Sequence, residues 1–247
     1  MREFWADFWE NPRQLHLAGS ALFALAALLA AYGALQALLH SPLFPLREVV
    51  LAEAPRHASR EDIANAADGA GGNFFAADLG ALRGRLEQVP WVRRVSVRRV
   101  WPDRIEIRLE EHVAFALWGD SGFVNTFGEG FGAPMDEAAQ MKLPLLAGPA
   151  GTEAEVARRY LKFAERVAPI GETVQRVVLT PRYAWQVRLA GGLQMELGRD
   201  GSEAVEQRLE RFVEAYPQSI GRLGRQYDHV DLRYPNGFAL RVAGWKG

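Results

Sequence analysis

Residues Trp91 to Glu111 read WVRRVSVRRVWPDRIEIRLEE, and in the second half Ile105, Ile107 and Leu109 alternate with Arg104, Glu106, Arg108 and Glu110. A period of two is the mark of a strand with one buried face. If Trp101-Pro102-Asp103 forms the turn, Val100 faces Arg104, Val97 faces Ile107 and Val95 faces Leu109 on the core side. The same register sets Arg98 opposite Glu106 and Arg94 opposite Glu110 on the outer side. A slip of one residue would mismatch both faces, so apolar and charged pairing predict one and the same hairpin. Upstream, Asp78 is placed to cap a helix whose Leu79, Leu82, Leu86 and Val89 share a face before Pro90. Before that, Ser59 is placed to cap a helix with Ile63, Ala64 and Ala67 turned inward and Gly69 at its end. Leu46 to Ala52 (LREVVLA) reads as a strand, so residues 44–112 are ordered strand, helix, helix, strand, strand.

No charged residue lies between Arg13 and Arg47, and Leu17 to Leu39 (LAGSALFALAALLAAYGALQALL) is 23 residues dominated by alanine and leucine. As a helix it would be about 34 Å long, enough for a hydrocarbon core of about 30 Å. A cleaved signal peptide has a shorter apolar region behind a positive leader. Here the leader carries Arg2, Glu3, Asp7, Glu10 and Arg13, so an uncleaved anchor is the reading. Arg2 and Arg13 on one side nearly balance Arg47 and Arg56 on the other, and charge alone leaves the orientation open. The layout of a short leader, one span and a long C-terminal part favours an N-terminus inside. Phe4, Trp5, Phe8 and Trp9 would form an aromatic stripe if the leader is helical. The expected division is leader 1–16, span 17–39, first exported domain 44–112 and second 113–247.

In the second domain the Pro/Gly-rich stretch Leu143 to Gly151 reads as a separator. A helix follows, with Thr152 and Glu155 as capping box and Val156, Tyr160, Ala164 and Val167 on one face. Strands are expected at 174–179, 184–189 and 193–197, the last two joined by a tight turn at Gly191-Gly192. Ser202 is the expected cap of a helix carrying Val205, Leu209, Phe212, Val213 and Tyr216. Two more strands, His229 to Tyr234 and Phe238 to Val242, flank Pro235-Asn236-Gly237, with Val230, Leu232 and Tyr234 on one face. The fold class is therefore α+β: a membrane helix, a β-α-α-β-β domain, and a mixed-sheet domain that ends in an exposed edge hairpin.

The chain has 247 residues, 29 basic against 30 acidic, a net charge of −1, 49% apolar residues and no cysteine. That balance speaks against nucleic acid as partner, and the missing cysteine excludes a thiol nucleophile and Cys-ligated metal. His16, His40, His57, His112 and His229 are scattered, without HExxH or another ligand spacing. FGEGFG at 127–132 lacks the helix and acidic residue of a dinucleotide site and reads as a flexible turn. Glu110 and Glu111 are adjacent on a strand and point to opposite faces, so they cannot act on one substrate. Arg93-Arg94 and Arg98-Arg99 read as a solvated sheet face. No GxSxG or SxxK motif is present. No catalytic residue, metal ligand or cofactor is expected.

FPLREVVL (44–51), the two helices and PWVRRVSVRRVWPDRIEIRLEEHVAFALW (90–118) resemble the POTRA domain of the FtsQ/DivIB cell-division family. VDLRYPNGFALRVAGW (230–245), with LGRDG (197–201) and RLERFVEAYP (208–217), is similar to the family's C-terminal β-domain. The resemblance implies a non-catalytic divisome scaffold in the bacterial inner membrane, cytoplasmic at its N-terminus, periplasmic in its bulk and located at the septum. It implies FtsB as a partner bound by strand addition, FtsL through it, and FtsK, FtsW, FtsI and FtsN as further divisome partners. By position, it assigns partner contacts to Arg182, Tyr234, Asn236, Gly237, Phe238 and Trp245. Pro235 stands where an acidic residue is expected after the tyrosine, and Phe238 where a small one is. The alternative for Tyr234 and Phe238 is that they pack the hairpin onto the sheet. The alternative functions are a POTRA-bearing envelope assembly or secretion factor and a membrane-anchored periplasmic enzyme.

Overall fold

A computed structural model describes residues 12–39, 41, 44–69, 72–120, 122–134, 142–201, 203–218 and 227–242. The leader aromatics, Ser202 and Trp245 lie outside them. Helix α1 spans Pro12–Leu39, five residues longer at its start than the apolar run. Proline suits a first helical position, where the N–H has no intrahelical partner. Within Leu15–Leu38 of α1, the most apolar 18-residue stretch has a mean hydropathy of 1.9 and none of it is buried. The helix is long and apolar enough to cross a membrane. Its Ser20 hydroxyl donates to the His16 carbonyl at 2.7 Å, so that polar group stays paired within the helix.

Contacts divide the chain into two units, Met1–Glu110 and Glu111–Gly247. In the first, β1 (Pro45–Leu46) pairs with β3 (Gly72–Asn73), and β2 (Glu48–Leu51) runs parallel to β5 (Arg104–Glu111). The expected first strand is thus split at Arg47, whose N–H donates to the Asp103 carbonyl. Helix α2 (Arg60–Ala67) is capped by Ser59, whose hydroxyl accepts from Asp62 N, and α3 (Leu79–Leu86) by Asp78, which accepts from Gly80 N and Ala81 N. Ile63 is buried and Ala67 half-buried, whereas Ala64, expected inward, is exposed. The helix presents its i, i+4 row to the core, and Ala64 lies off it.

Strand β4 (Val92–Val100) and β5 are neighbours in a sheet of order β2-β5-β4. Val95, Ile105 and Ile107 are buried, and Arg98 grips Glu106 with two hydrogen bonds of 3.1 and 2.9 Å, as the register requires. At the far end the partner of Glu110 is Arg93, not Arg94. Val92 and Val95 are both buried although three residues apart, so the strict alternation breaks between them and carries Arg93 to the acidic neighbour.

Among its described residues the second unit is one nine-stranded mixed sheet, in the order β14 (Ala239–Val242), β13 (Tyr227–Asp231), β12 (Gln194–Gly198), β11 (Trp185–Leu189), β10 (Val174–Leu179), β9 (Leu145–Ala147), β6 (Ala114–Trp118), β7 (Gly122–Asn125) and β8 (Gly130–Phe131). Its first strands are β6 (Ala114–Trp118), β7 (Gly122–Asn125) and β8 (Gly130–Phe131). The Pro/Gly-rich stretch contains β9 (Leu145–Ala147), which pairs in parallel with both β6 and β10 (Val174–Leu179). The stretch read as a separator is therefore a seam of the sheet: prolines flank three apolar residues without interrupting their ladder. The central strands β11 (Trp185–Leu189) and β12 (Gln194–Gly198) turn at Gly192, whose φ of 93° suits glycine.

Helices α4 (Glu153–Val167) and α5 (Val205–Ala215) cover one face of this sheet. Val156, Phe163, Val167, Leu209 and Phe212 bury against Val177, Trp185, Val187, Met195 and Val230. Phe163, absent from the expected face, meets Trp185 edge-on at 5.8 Å, while Ala164 is only half-buried. Thr152 stands at the N-cap of α4, but no capping box forms: its hydroxyl donates to the Pro149 carbonyl at 2.7 Å. Helix α5 begins at Val205 with Ala204 as N-cap, and the Asp200 carboxylate accepts from Val205 N.

Residues 126–129, which take in the first half of FGEGFG, form a hydrogen-bonded turn between β7 and β8, and the motif's Gly130-Phe131 are β8 itself. Fully buried Asn125 accepts from Phe127 N and Glu129 N and donates to Glu129, while the Nδ1 of His112 lies 2.9 Å from its amide nitrogen.

Candidate partner-binding edge

The last two strands are β13 (Tyr227–Asp231) and β14 (Ala239–Val242), antiparallel, with Val230 facing Leu240 and Asp231 facing Ala239. β13 runs parallel to β12, so β14 ends the sheet. Among the described residues nothing pairs with its outer side. Such an edge presents a row of main-chain donors and acceptors to which an extended segment can add.

Of the expected contact residues, Tyr234 is 55% exposed and the sequence pattern misplaces it. Val230 and Leu232 are buried, but the chain leaves the strand after Asp231, whose carboxylate accepts from Arg233 N. That Asx turn swings Tyr234 off the shared face. Asn236 is exposed and Gly237 half-buried in the connecting turn. Phe238 is half-buried and meets Phe212 of α5 edge-on at 5.4 Å, so it seats the hairpin on the helix layer. Arg182 is exposed in the β10–β11 loop. Trp185 pairs with Gly198, which places that loop at the end of the sheet where residues 232–238 lie, and Arg182 makes no hydrogen bond to them among the described residues.

The sequence reading missed the network that fixes this turn. Arg211 of α5 donates to the Tyr234 carbonyl at 3.2 Å and is itself gripped by Glu203. Arg208, one turn earlier, donates to the carbonyls of Leu197, Arg199 and Glu203 at 2.6, 3.0 and 3.1 Å. One end of α5 is thereby bolted to the end of β12 and to the edge turn. The only sequence signal is a pair of arginines five and eight residues after an acid, which no secondary-structure period singles out.

Three carboxylates around the edge are held below their ordinary range by arginine hydrogen bonds: Glu203 by Arg211, Asp228 by Arg241 and Asp231 by Arg233. A depressed folded pKa contributes stability that is complete above the unfolded value and is lost as pH falls through the folded one. Protection of the β13 and β14 amides from hydrogen exchange, corrected for intrinsic rates, should therefore stay constant from neutral pH down to about pH 5. It should then decline below about pH 4, where unfolded carboxyls protonate. Stronger protection on acidification would contradict these pairings.

A helix long and apolar enough to cross a membrane, a β-α-α-β-β module and a helix-backed sheet whose last strand is unpaired on its outer side among the described residues define a two-module protein with a strand edge on offer. Residues 44–112 match the family model described as POTRA domain, FtsQ-type, and residues 116–233 that of cell division protein FtsQ/DivIB, C-terminal. Cell division protein FtsQ of Burkholderia pseudomallei is 43% identical over 240 residues, 96% of each chain. That of Nitrosospira multiformis is 40% identical over 94% of this chain and 98% of its own, and that of Escherichia coli 34% over 81% and 73%. The chain belongs to the FtsQ/DivIB family of cell-division proteins.

Proposed function

We propose that this chain is a non-catalytic divisome scaffold, anchored in the inner membrane by α1 with its N-terminus cytoplasmic. Its bulk then lies in the periplasm, the POTRA module takes part in recruitment to the septum, and the β14 edge binds FtsB by strand addition, with FtsL joining through it. The observation that carries this reading is the outer side of β14, which pairs with nothing among the described residues, in a chain of this family. Main-chain pairing would supply affinity there, and exposed Tyr234 is the side chain best placed to add specificity. Arg182, Asn236, Gly237 and Trp245 remain proposed contacts. Phe238 is proposed as a support of the edge, because its ring already packs on Phe212. Replacing it with arginine would therefore test folding as much as binding.

The test is depletion of the native protein in its bacterium, with complementation by an N-terminal fluorescent fusion. Depleted cells should form filaments, and the fusion should form a midcell band and restore division. Tyr234→Ala should keep its thermal stability yet weaken FtsB binding by about 2 kcal/mol, roughly thirtyfold, the size of an aromatic hot spot. Normal division on depletion, with uniform envelope fluorescence, would sink the divisome role. Unchanged FtsB affinity in Tyr234→Ala would remove Tyr234 from the binding surface.

A further inference from the structure

The sheet face opposite α4 and α5 carries an ordered row of side chains. Register sets Arg176 opposite Arg188, Arg188 opposite Gln194, Gln194 opposite His229 and His229 opposite Arg241. On the other side of Arg176 the row continues through Leu145 to Leu117, both half-buried. With strands about 4.8 Å apart, these seven positions form a line of roughly 29 Å across the sheet.

Arg176 and Arg188 are both exposed, and among the described residues neither has an ion-pair or hydrogen-bond partner. Together with Val178, Gln186 and Gln194 they line a shallow hollow of about 150 Å³. The carboxylates of this region are engaged elsewhere. Glu196 accepts from Gln186 at 3.0 Å, Asp231 holds Arg233 and Asp228 holds Arg241. Like charges directly opposite on neighbouring strands destabilise a sheet, so the arginine pair does nothing for the fold. Its two guanidinium forks are geometrically suited to carboxylates.

We propose that this face docks an acidic segment of a partner polypeptide, carboxylates on Arg176 and Arg188 and apolar side chains beside them on Leu145 and Leu117. A polypeptide fits because the row is long and changes from cationic to apolar, whereas a single phosphate would span only the arginine pair. The surface is separate from the β14 edge, which offers main-chain groups rather than a face, and goes beyond the role assigned to that edge.

The test uses the full chain in nanodiscs of phosphatidylcholine and a fluorescein-labelled 20-residue helical peptide with glutamates and leucines on one face. Saturable binding is expected, at least tenfold weaker for the same peptide with glutamine in place of glutamate. Arg188→Glu should weaken binding at least tenfold without lowering the melting temperature, because it replaces a repulsive cross-strand pair by an attractive one. Arg188→Gln should also weaken it, which keeps the test open if the charge reversal misfolds. Tyr234→Ala should leave it unchanged, which separates this site from the edge. Absence of saturable binding, equal affinity of both Arg188 variants and the wild type, or an equal loss from Arg94→Glu in the first unit would overturn the proposal. So would full displacement of the peptide by inorganic phosphate or by phosphatidylglycerol vesicles at matched anion concentration, which would reassign the face to phosphate or to lipid.

Discussion

Phe212→Ala should destabilise the second unit by about 3–5 kcal/mol, the usual loss when a buried phenylalanine leaves a cavity. Phe212 has no solvent exposure, and its ring meets Tyr216 at 5.7 Å and Phe238 at 5.4 Å, both edge-on. It is the ring on α5 that Phe238 leans on, so the edge hairpin loses its seat along with the core. A domain is stable by only about 5–15 kcal/mol, so the melting temperature should fall on the order of 10–20 °C. Hydrogen exchange localises the effect: amides of Tyr227–Asp231 and Ala239–Val242 should lose protection ahead of those of Val174–Leu179 and Trp185–Leu189. Arg211 still ties the Tyr234 carbonyl to α5, so the hairpin should loosen rather than detach. Partner affinity at the edge should fall with it, since a fluctuating strand must be ordered on binding. If the variant melts as the wild type does, the aromatic contact is not what holds the edge.

Particular residues show what was legible before the fold was known. The hairpin at 91–111 could be read because both of its faces carry the pairing code: Arg98 with Glu106 outside, Val95 and Ile107 inside. The same logic misplaced the partner of Glu110, because one break in alternation exchanges Arg93 for Arg94, and a period-two pattern cannot encode such a break. β9 was hidden because three apolar residues between prolines carry no period at all. Its strand character comes from two neighbours far away in sequence, β6 and β10. At the edge, the family pattern located the hairpin, but the orientation of Tyr234 depends on a local Asx turn. The packing of Phe238 depends on a helix that precedes it by more than twenty residues. Long-range contacts of this kind, including Arg211 to Tyr234, leave no local signature.

Trp91 provides the sharpest test of backbone geometry in the first unit, because substitution there should reverse the ordinary order of alanine and glycine. Its φ is 69°, in the left-handed region that costs an L-residue about 1 kcal/mol or more, and its ring is only 3% exposed. The ring stacks on His57 at 4.7 Å with 27° between planes, and Val92 N closes the turn onto the Val89 carbonyl at 3.1 Å. Burial of the indole thus offsets a strained backbone at the entry to β4. Trp91→Ala gives up the burial and keeps the strain, so it should cost about 3–5 kcal/mol. Trp91→Gly gives up the same burial but relieves the strain. In a regular strand glycine is about 0.5–1 kcal/mol worse than alanine, whereas here it should equal alanine or exceed it by up to about 1 kcal/mol. Urea denaturation of the detergent-solubilised chain, read by hydrogen exchange over residues 44–110, measures both variants on one scale. A glycine variant clearly less stable than the alanine variant would mean that position 91 has an extended backbone in solution. The entry to the hairpin that defines this module would then have to be redrawn.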